Sequence, residues 1–309
     1  MLALAVAGSL LAIGWVAMPA SARADAEAAA EPAPRRPAVA RMNLRVGAGY
    51  SFLHVDETET TQSGAALSTL RVPEHDAHAA QVHVVGVTPL TRSTGARIRF
   101  DYRQGEDQRS LDGLDRGTED RASYGVTGEL FVRDPEMGSF SFGGGYDYRD
   151  ADGGVDADAF RGNVAAAIFF PDLGSGPVDW FVRFDFEHRE VSGVSGTTAD
   201  IDADRYVVTG GAGWYLSPDF LFVLGGRWDR AEEEFLTEET STGFGRFRIG
   251  LPVPGPISVE LSLGGSAGVA ELDRSPFRSD KRLVYGAEAG LVFRYRSGAT
   301  LLDAIRGHD

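Results

Sequence analysis

The stretch Val178–Arg189 reads Val-Asp-Trp-Phe-Val-Arg-Phe-Asp-Phe-Glu-His-Arg, and its pattern decides how the rest of the chain is interpreted. Its even-numbered positions are mostly large and apolar, whereas its odd-numbered positions are mostly charged. A period of two predicts a β-strand whose two faces meet different environments. At about 3.3 Å per residue this strand is longer than about 30 Å, which exceeds the usual strand of a soluble sheet. One strand alone leaves open whether the apolar face points into a soluble core or toward lipid.

The same two-residue period recurs about twelve times between Met42 and Arg296. The predicted strands are centred on Leu44–Phe52, Ala80–Gly86, Ala96–Tyr102, Ala122–Val132, Phe140–Tyr148, Phe160–Phe170, Val178–Arg189, Tyr206–Leu216, Phe220–Trp228, Arg246–Leu251, Ile257–Leu263 and Leu283–Tyr295. Twelve is an even number, as closed antiparallel barrels of bacterial membranes require. The predicted fold is therefore all-β, a single up-and-down antiparallel barrel that crosses a membrane.

The connections between these strands alternate in length. Short turns are predicted at Pro89–Gly95, Asp134–Gly138, Pro171–Pro177, Ser217–Asp219 and Pro252–Pro256. Long polar loops are predicted at Val55–Ala77, Gly105–Arg121, Asp150–Asp158, Glu190–Asp204, Arg230–Thr240 and Glu271–Arg282. A soluble β-sandwich has no physical reason to place short connections at one end and long ones at the other. A soluble lipocalin-like barrel also fits poorly, because it has eight strands around an apolar interior.

In strand pattern and loop asymmetry the segment Met42–Arg296 resembles the bacterial outer-membrane β-barrels as a class. The resemblance implies a bacterial outer-membrane location, contact with lipid and lipopolysaccharide, short periplasmic turns and long outer loops. One feature departs from the class, because such barrels often end on an aromatic residue of the last strand. This chain continues into the segment Ser297–Asp309, which is expected to be a periplasmic tail. Leu301, Leu302 and Ile305 in that tail have the spacing of a short helix.

The N-terminal region predicts export. Residues 1–24 read as a signal peptide, with the apolar run Leu2–Ala17 followed by the small-residue cleavage sites Ala20–Ala22 and Ala22–Ala24. Residues 25–41 are rich in alanine and proline and read as a linker before the barrel at residues 42–296. The chain has no cysteine, which excludes disulfides and thiolate metal sites, and its net charge of −15 argues against nucleic acid as a partner.

The predicted long loops are strongly acidic, with 27 carboxylates and nine basic residues. Such loops either stay solvated and share divalent cations with lipopolysaccharide, or bind cations of their own. Within these loops, the clearest candidate for a metal site is a weak calcium-binding pattern formed by Asp150, Asp152, Asp156 and Asp158. An EF-hand is excluded, because the twelfth residue counted from Asp150 is Arg161, not glutamate.

The polar faces of the strands place twelve arginines and eight carboxylates on the inside of the predicted barrel. They either line a pore or pair with one another and fill the lumen. The predicted pore-lining residues are Arg97, Arg99, Asp101, Arg103, Glu129, Arg183, Asp185, Glu187, Arg227, Arg246, Arg248, Glu260 and Glu288.

Three functions fit the sequence. The preferred one is a porin-like channel for passive diffusion of small polar or anionic solutes, without cofactor or catalysis. The second is a non-conducting barrel that displays its acidic loops as a binding surface in an envelope complex. The third is an outer-membrane hydrolase, for which His188 beside Glu187 and Glu190 is the best catalytic candidate.

Overall fold

The computed structural model describes residues 42–56, 58–62, 69–72, 74–111, 114–134, 136–151, 155–171, 176–192, 201–233, 236–251, 253, 256–274, 277–279, 281–296 and 300–302. All of them belong to the compact unit Pro37–Asp309. The predicted signal peptide and linker, residues 1–41, lie outside the described residues. Within the described ranges, no helix is long and apolar enough to cross a membrane.

Twelve long strands form the barrel, and three short strands extend one end of it. The strands are β1 (Asn43–Val55), β2 (Thr58–Gln62), β3 (Thr69–Val72), β4 (Glu74–Pro89), β5 (Thr94–Leu111), β6 (Leu114–Asp134), β7 (Gly138–Ala151), β8 (Val155–Phe170), β9 (Val178–Ser192), β10 (Ile201–Ser217), β11 (Phe220–Glu233), β12 (Leu236–Leu251), β13 (Ile257–Arg274), β14 (Phe277–Ser279) and β15 (Arg282–Tyr295). The long strands pair with their neighbours in antiparallel order, and β1 also pairs with β15, which closes the ring. The predicted closed twelve-stranded barrel is confirmed.

The outer face of the barrel is an apolar belt. On β5 the outward residues Ile98 and Phe100 are more than half exposed, and on β7 the same holds for Phe142. Every second residue on these strands points the other way, into a charged interior. An apolar surface of this extent is stable in lipid rather than in water, and closure leaves no strand edge unpaired in the membrane.

At one end of the barrel, here called the short-turn end, the strands are joined by tight turns. The turn between β6 and β7 is an example, because the Asp134 Oδ1 atom accepts the backbone N–H of Glu136 at 2.9 Å. Gly138 completes this turn with a φ of 144°, which a residue with a side chain rarely adopts. The predicted turn Asp134–Gly138 therefore follows from local residue chemistry.

At the opposite end, here called the hairpin end, most of the predicted long loops are extended strand pairs. The segment Gly105–Arg121 was predicted as a loop, but β5 continues to Leu111 and β6 begins at Leu114. The same correction applies to Arg230–Thr240, where β11 and β12 continue to within two residues of each other. Above the belt both faces of a strand meet water, so apolar and polar residues no longer alternate along the sequence. The backbone hydrogen bonds between neighbouring strands nevertheless continue.

Two residues of the C-terminal tail contact the inner wall at the short-turn end. Leu301 is only 2% exposed and packs against Phe169, Tyr215 and Leu221. Leu301 and Leu302 have helical conformation, and the Leu302 N–H donates to the carbonyl oxygen of Pro218 at 3.0 Å. Ile305, the third residue of the predicted helical pattern, lies outside the described residues. This part of the tail is therefore packed within the barrel mouth.

Candidate functional site: the charged barrel interior

The interior of the barrel contains a cavity of about 1420 Å³ lined by fifteen arginines and twelve carboxylates. Most of these side chains point inward because they alternate along each strand with the residues of the apolar belt. Charged groups inside a barrel require either partners or water. The arrangement of those partners determines which charges remain available to a solute.

Twelve of the thirteen residues predicted to line a pore line this cavity. The thirteenth, Glu288, accepts a hydrogen bond from the Arg246 Nε atom at 2.6 Å. Their role in conduction stays a prediction. Arg205 also lines the cavity, although the predicted strand began one residue later, at Tyr206. Position 205 shares the inward face with Val207 and Thr209 of the predicted strand, and that signal in the sequence could have found it.

Several ion pairs cross from one strand to another. The Glu129 carboxylate binds Arg97 on the neighbouring strand β5 at 2.9 Å and Arg183 on β9 at 3.4 Å. β6 and β9 are separated by two other strands, so the Arg183 pair spans part of the lumen. Nearer the short-turn end, the Arg248 Nε atom donates to Glu260 at 2.5 Å. These pairs reduce the number of free charges and narrow the interior.

Glu187 is the centre of the largest arginine group. It is only 7% exposed and accepts hydrogen bonds from Arg149 at 2.7 Å and from Arg161 at 2.9 Å. Arg189 approaches it at 3.5 Å, and Arg161 also binds Asp147 at 2.5 Å. Three arginines thus share one buried carboxylate, and two of them, Arg149 and Arg161, also contact Asp147.

Replacing Glu187 with glutamine is expected to destabilise the barrel by about 2 kcal/mol, because Arg189 loses its ion pair with Glu187 while Arg149 and Arg161 retain only their contacts with Asp147. The measurement is urea-induced unfolding of the protein in detergent, followed by heat-modifiable electrophoretic mobility. Asp185→Asn is the matched control, since Asp185 is a more exposed lumen carboxylate paired with Arg183. Equal destabilisation by the two substitutions would contradict the central role of Glu187.

Arg103 differs from these arginines, because no carboxylate among the described residues forms an ion pair with it. The charged groups that act on it are Arg149, Arg205 and Arg121, all of them cations. Arg149 is paired with Glu187, Arg205 with Asp229 at 2.6 Å, and Arg121 with Glu119 at 2.7 Å. We call Arg103, Arg121, Arg149 and Arg205 the upper arginine cluster. Its geometry leaves one guanidinium available for an anion.

The barrel wall separates His188 from Glu187, one of the two carboxylates that were expected to lie beside it in a catalytic site. Glu187 points into the lumen, whereas His188 lies on the outer face beyond the apolar belt. His188 Nδ1 is 2.8 Å from Asp204 Oδ1, and this hydrogen bond raises the pKa of the imidazole. Glu190 is farther away, at 3.9 Å from Nε2. The expected Glu187–His188 combination is therefore not assembled.

The aspartates of the calcium candidate lie around the β7–β8 hairpin. Asp156 and Asp158 are on the outer face of β8, and the Tyr146 hydroxyl donates to Asp158. Among the described residues, Asp150, Asp156 and Asp158 do not form a three-ligand cluster. Asp152 lies outside the described residues, so the calcium site stays a prediction.

The apolar belt, the closed ring and the charged interior define the class of the protein. It is an outer-membrane β-barrel, and its location is the bacterial outer membrane.

Comparison with solved structures finds proteins of similar fold. An outer-membrane channel from Pseudomonas putida F1 superimposes with a TM-score of 0.54 at 12% sequence identity, over 86% of this chain and 100% of that chain. The translocator domain of the autotransporter NalP from Neisseria meningitidis gives a TM-score of 0.46 at 10% identity, over 82% of this chain and 88% of that chain. No protein-family model and no curated protein sequence matches the chain.

Proposed function

We propose that the protein is an outer-membrane channel for the passive diffusion of small polar or anionic solutes. The observation that carries this proposal is the cavity of about 1420 Å³ with its excess of arginine. Within it, Arg103 is a cation that forms no ion pair with a carboxylate among the described residues. Small anions are attracted to such a site, and cations are repelled by it.

One further point supports the proposal. The Pseudomonas putida protein of similar fold is described as an outer-membrane channel.

The proposed orientation has the short-turn end in the periplasm and the acidic hairpin end outside the cell, in contact with lipopolysaccharide and its divalent cations. Transport through such a lumen requires no cofactor and no catalytic residue.

A non-conducting barrel is the second candidate, and a specific observation favours it. The Arg183–Glu129 pair spans part of the lumen, and Leu301 packs within the short-turn end. If these groups block the passage, the acidic hairpins become the functional surface.

Single-channel recording distinguishes the two candidates. The full-length protein, purified from outer membranes, is inserted into a planar lipid bilayer under a gradient of KCl. The channel proposal predicts steady conductance steps with a reversal potential on the anion-selective side. A barrel that shows normal heat-modifiable folding but never conducts would support the non-conducting candidate instead.

A further inference from the structure

A second group of chemically active side chains lies on the outer face of the barrel, outside the lumen. His54 is at the end of β1, and Glu74 and Asp76 are at the start of the neighbouring strand β4. The three residues are brought together by the pairing of β1 with β4, in which His54 is opposite Asp76. They lie beyond the apolar residue Phe52, toward the hairpin end.

The imidazole ring of His54 is held in one orientation. It is only 9% exposed and stacks on Tyr285, with 4.5 Å between the ring centroids. Its Nδ1 atom is 2.7 Å from Asp76 Oδ1 and 3.7 Å from Glu74 Oε1. Its Nε2 atom is 2.9 Å from Asp56 Oδ1.

Both ring nitrogens lie within hydrogen-bond distance of a carboxylate, so the tautomer decides which nitrogen can bind an ion. When Nε2 carries the proton and donates it to Asp56, the lone pair of Nδ1 faces the carboxylates of Asp76 and Glu74, an arrangement that is favourable only with a cation bound between them. A histidine that donates one N–H to a carboxylate and offers its other nitrogen to an ion is the usual arrangement around protein-bound metals. Asp56 is therefore a positioning residue in this arrangement.

The donor set and its charge both suit a divalent cation. One ligand atom each from His54, Glu74 and Asp76 lie within 4.8 Å of one another, close enough to surround a single ion. Imidazole nitrogen and carboxylate oxygen are both ligands of zinc and related metals, whereas calcium and magnesium prefer oxygen ligands alone. With Asp56, the group contains three negative charges and at most one positive charge.

We propose that His54, Glu74 and Asp76 bind a divalent transition-metal cation of the zinc type. The bound ion would join β1 to β4 at the point where the chain leaves β1 for the segment that contains β2 and β3 and returns to β4. This proposal does not depend on the proposed channel function, because the site lies on the opposite face of the barrel wall.

Isothermal titration of the chelator-treated, full-length protein with Zn²⁺ tests the proposal. We expect one equivalent of zinc to bind, and we expect His54→Ala to weaken binding at least tenfold. Asp56→Asn is expected to weaken it by about 10- to 100-fold, the usual effect of losing such a positioning carboxylate. Glu74→Gln provides a second ligand substitution at a more exposed position, in case His54→Ala folds poorly.

The matched control is His188→Ala. His188 makes a similar pair with Asp204 at 2.8 Å on the outer face, but it belongs to no three-ligand cluster among the described residues. We expect this control to bind zinc like the unmodified protein. Absence of zinc binding to the unmodified protein, or binding that both histidine variants retain equally, would overturn the proposal. Zinc X-ray absorption showing only oxygen ligands would also contradict it.

Discussion

Replacing Arg103 with glutamate is expected to abolish or reverse the anion preference of the channel. The substitution changes the local charge by two units, and Arg149, Arg205 and Arg121 then surround a carboxylate instead of a free guanidinium. Two unit charges about 4 Å apart in water interact by about 1 kcal/mol, so a change of two units corresponds to about 2 kcal/mol. The ratio of anion to cation permeability should fall by more than about tenfold.

The measurement is the reversal potential in a KCl gradient, with two control variants. Arg103→Lys keeps the positive charge and should retain the anion preference. Arg92→Glu makes the same change of charge in an exposed short turn, outside the cavity lining, and should have little effect. If Arg92→Glu shifts the reversal potential as much as Arg103→Glu does, the selectivity depends on overall charge and not on the upper arginine cluster.

Replacing Leu301 with aspartate is expected to release the tail from the barrel and to increase single-channel conductance. Leu301 is almost fully buried against Phe169, Tyr215 and Leu221. Truncating a leucine in such a cluster costs about 3 kcal/mol, and a buried carboxylate without a partner costs more. The tail therefore leaves the inner wall, and the short-turn end of the lumen becomes wider.

Two measurements separate release of the tail from its effect on transport. Limited proteolysis reports whether the C-terminal segment has become accessible, and bilayer recording reports the conductance. Leu302→Asp is the matched control, because Leu302 is only partly buried against the same cluster and should cause a smaller change in both. A tail that becomes accessible while conductance stays the same would show that Leu301 does not obstruct the passage.

The twelve strands of the apolar belt could be predicted because each crosses two environments. Outward positions such as Ile98 and Phe100 meet lipid, whereas inward positions such as Arg97 and Arg99 meet water. Apolar and charged residues therefore alternate visibly along the sequence. The prediction failed above the belt, in segments such as Gly105–Arg121. There, water covers both faces and the residue types no longer distinguish strand from loop.

The candidate site was predicted only in part. Inward-facing residues such as Arg103 and Glu187 follow from the strand period, and both line the cavity. Which of them are paired does not follow from the period, since Glu187 binds Arg149 from β7, two strands away. Charge counting alone therefore could not show that Arg103 forms no ion pair with a carboxylate among the described residues.

The sequence by itself determined the number of long barrel strands, the direction of each side chain within the belt, and hence the class of protein. These properties depend on local alternation, which the solvent on each side of the wall imposes. The tertiary structure alone decided which charges meet, where Leu301 packs, and that His54 lies beside Glu74 and Asp76. Those contacts depend on strand register and ring closure, which join residues far apart in the chain, and no local pattern encodes them.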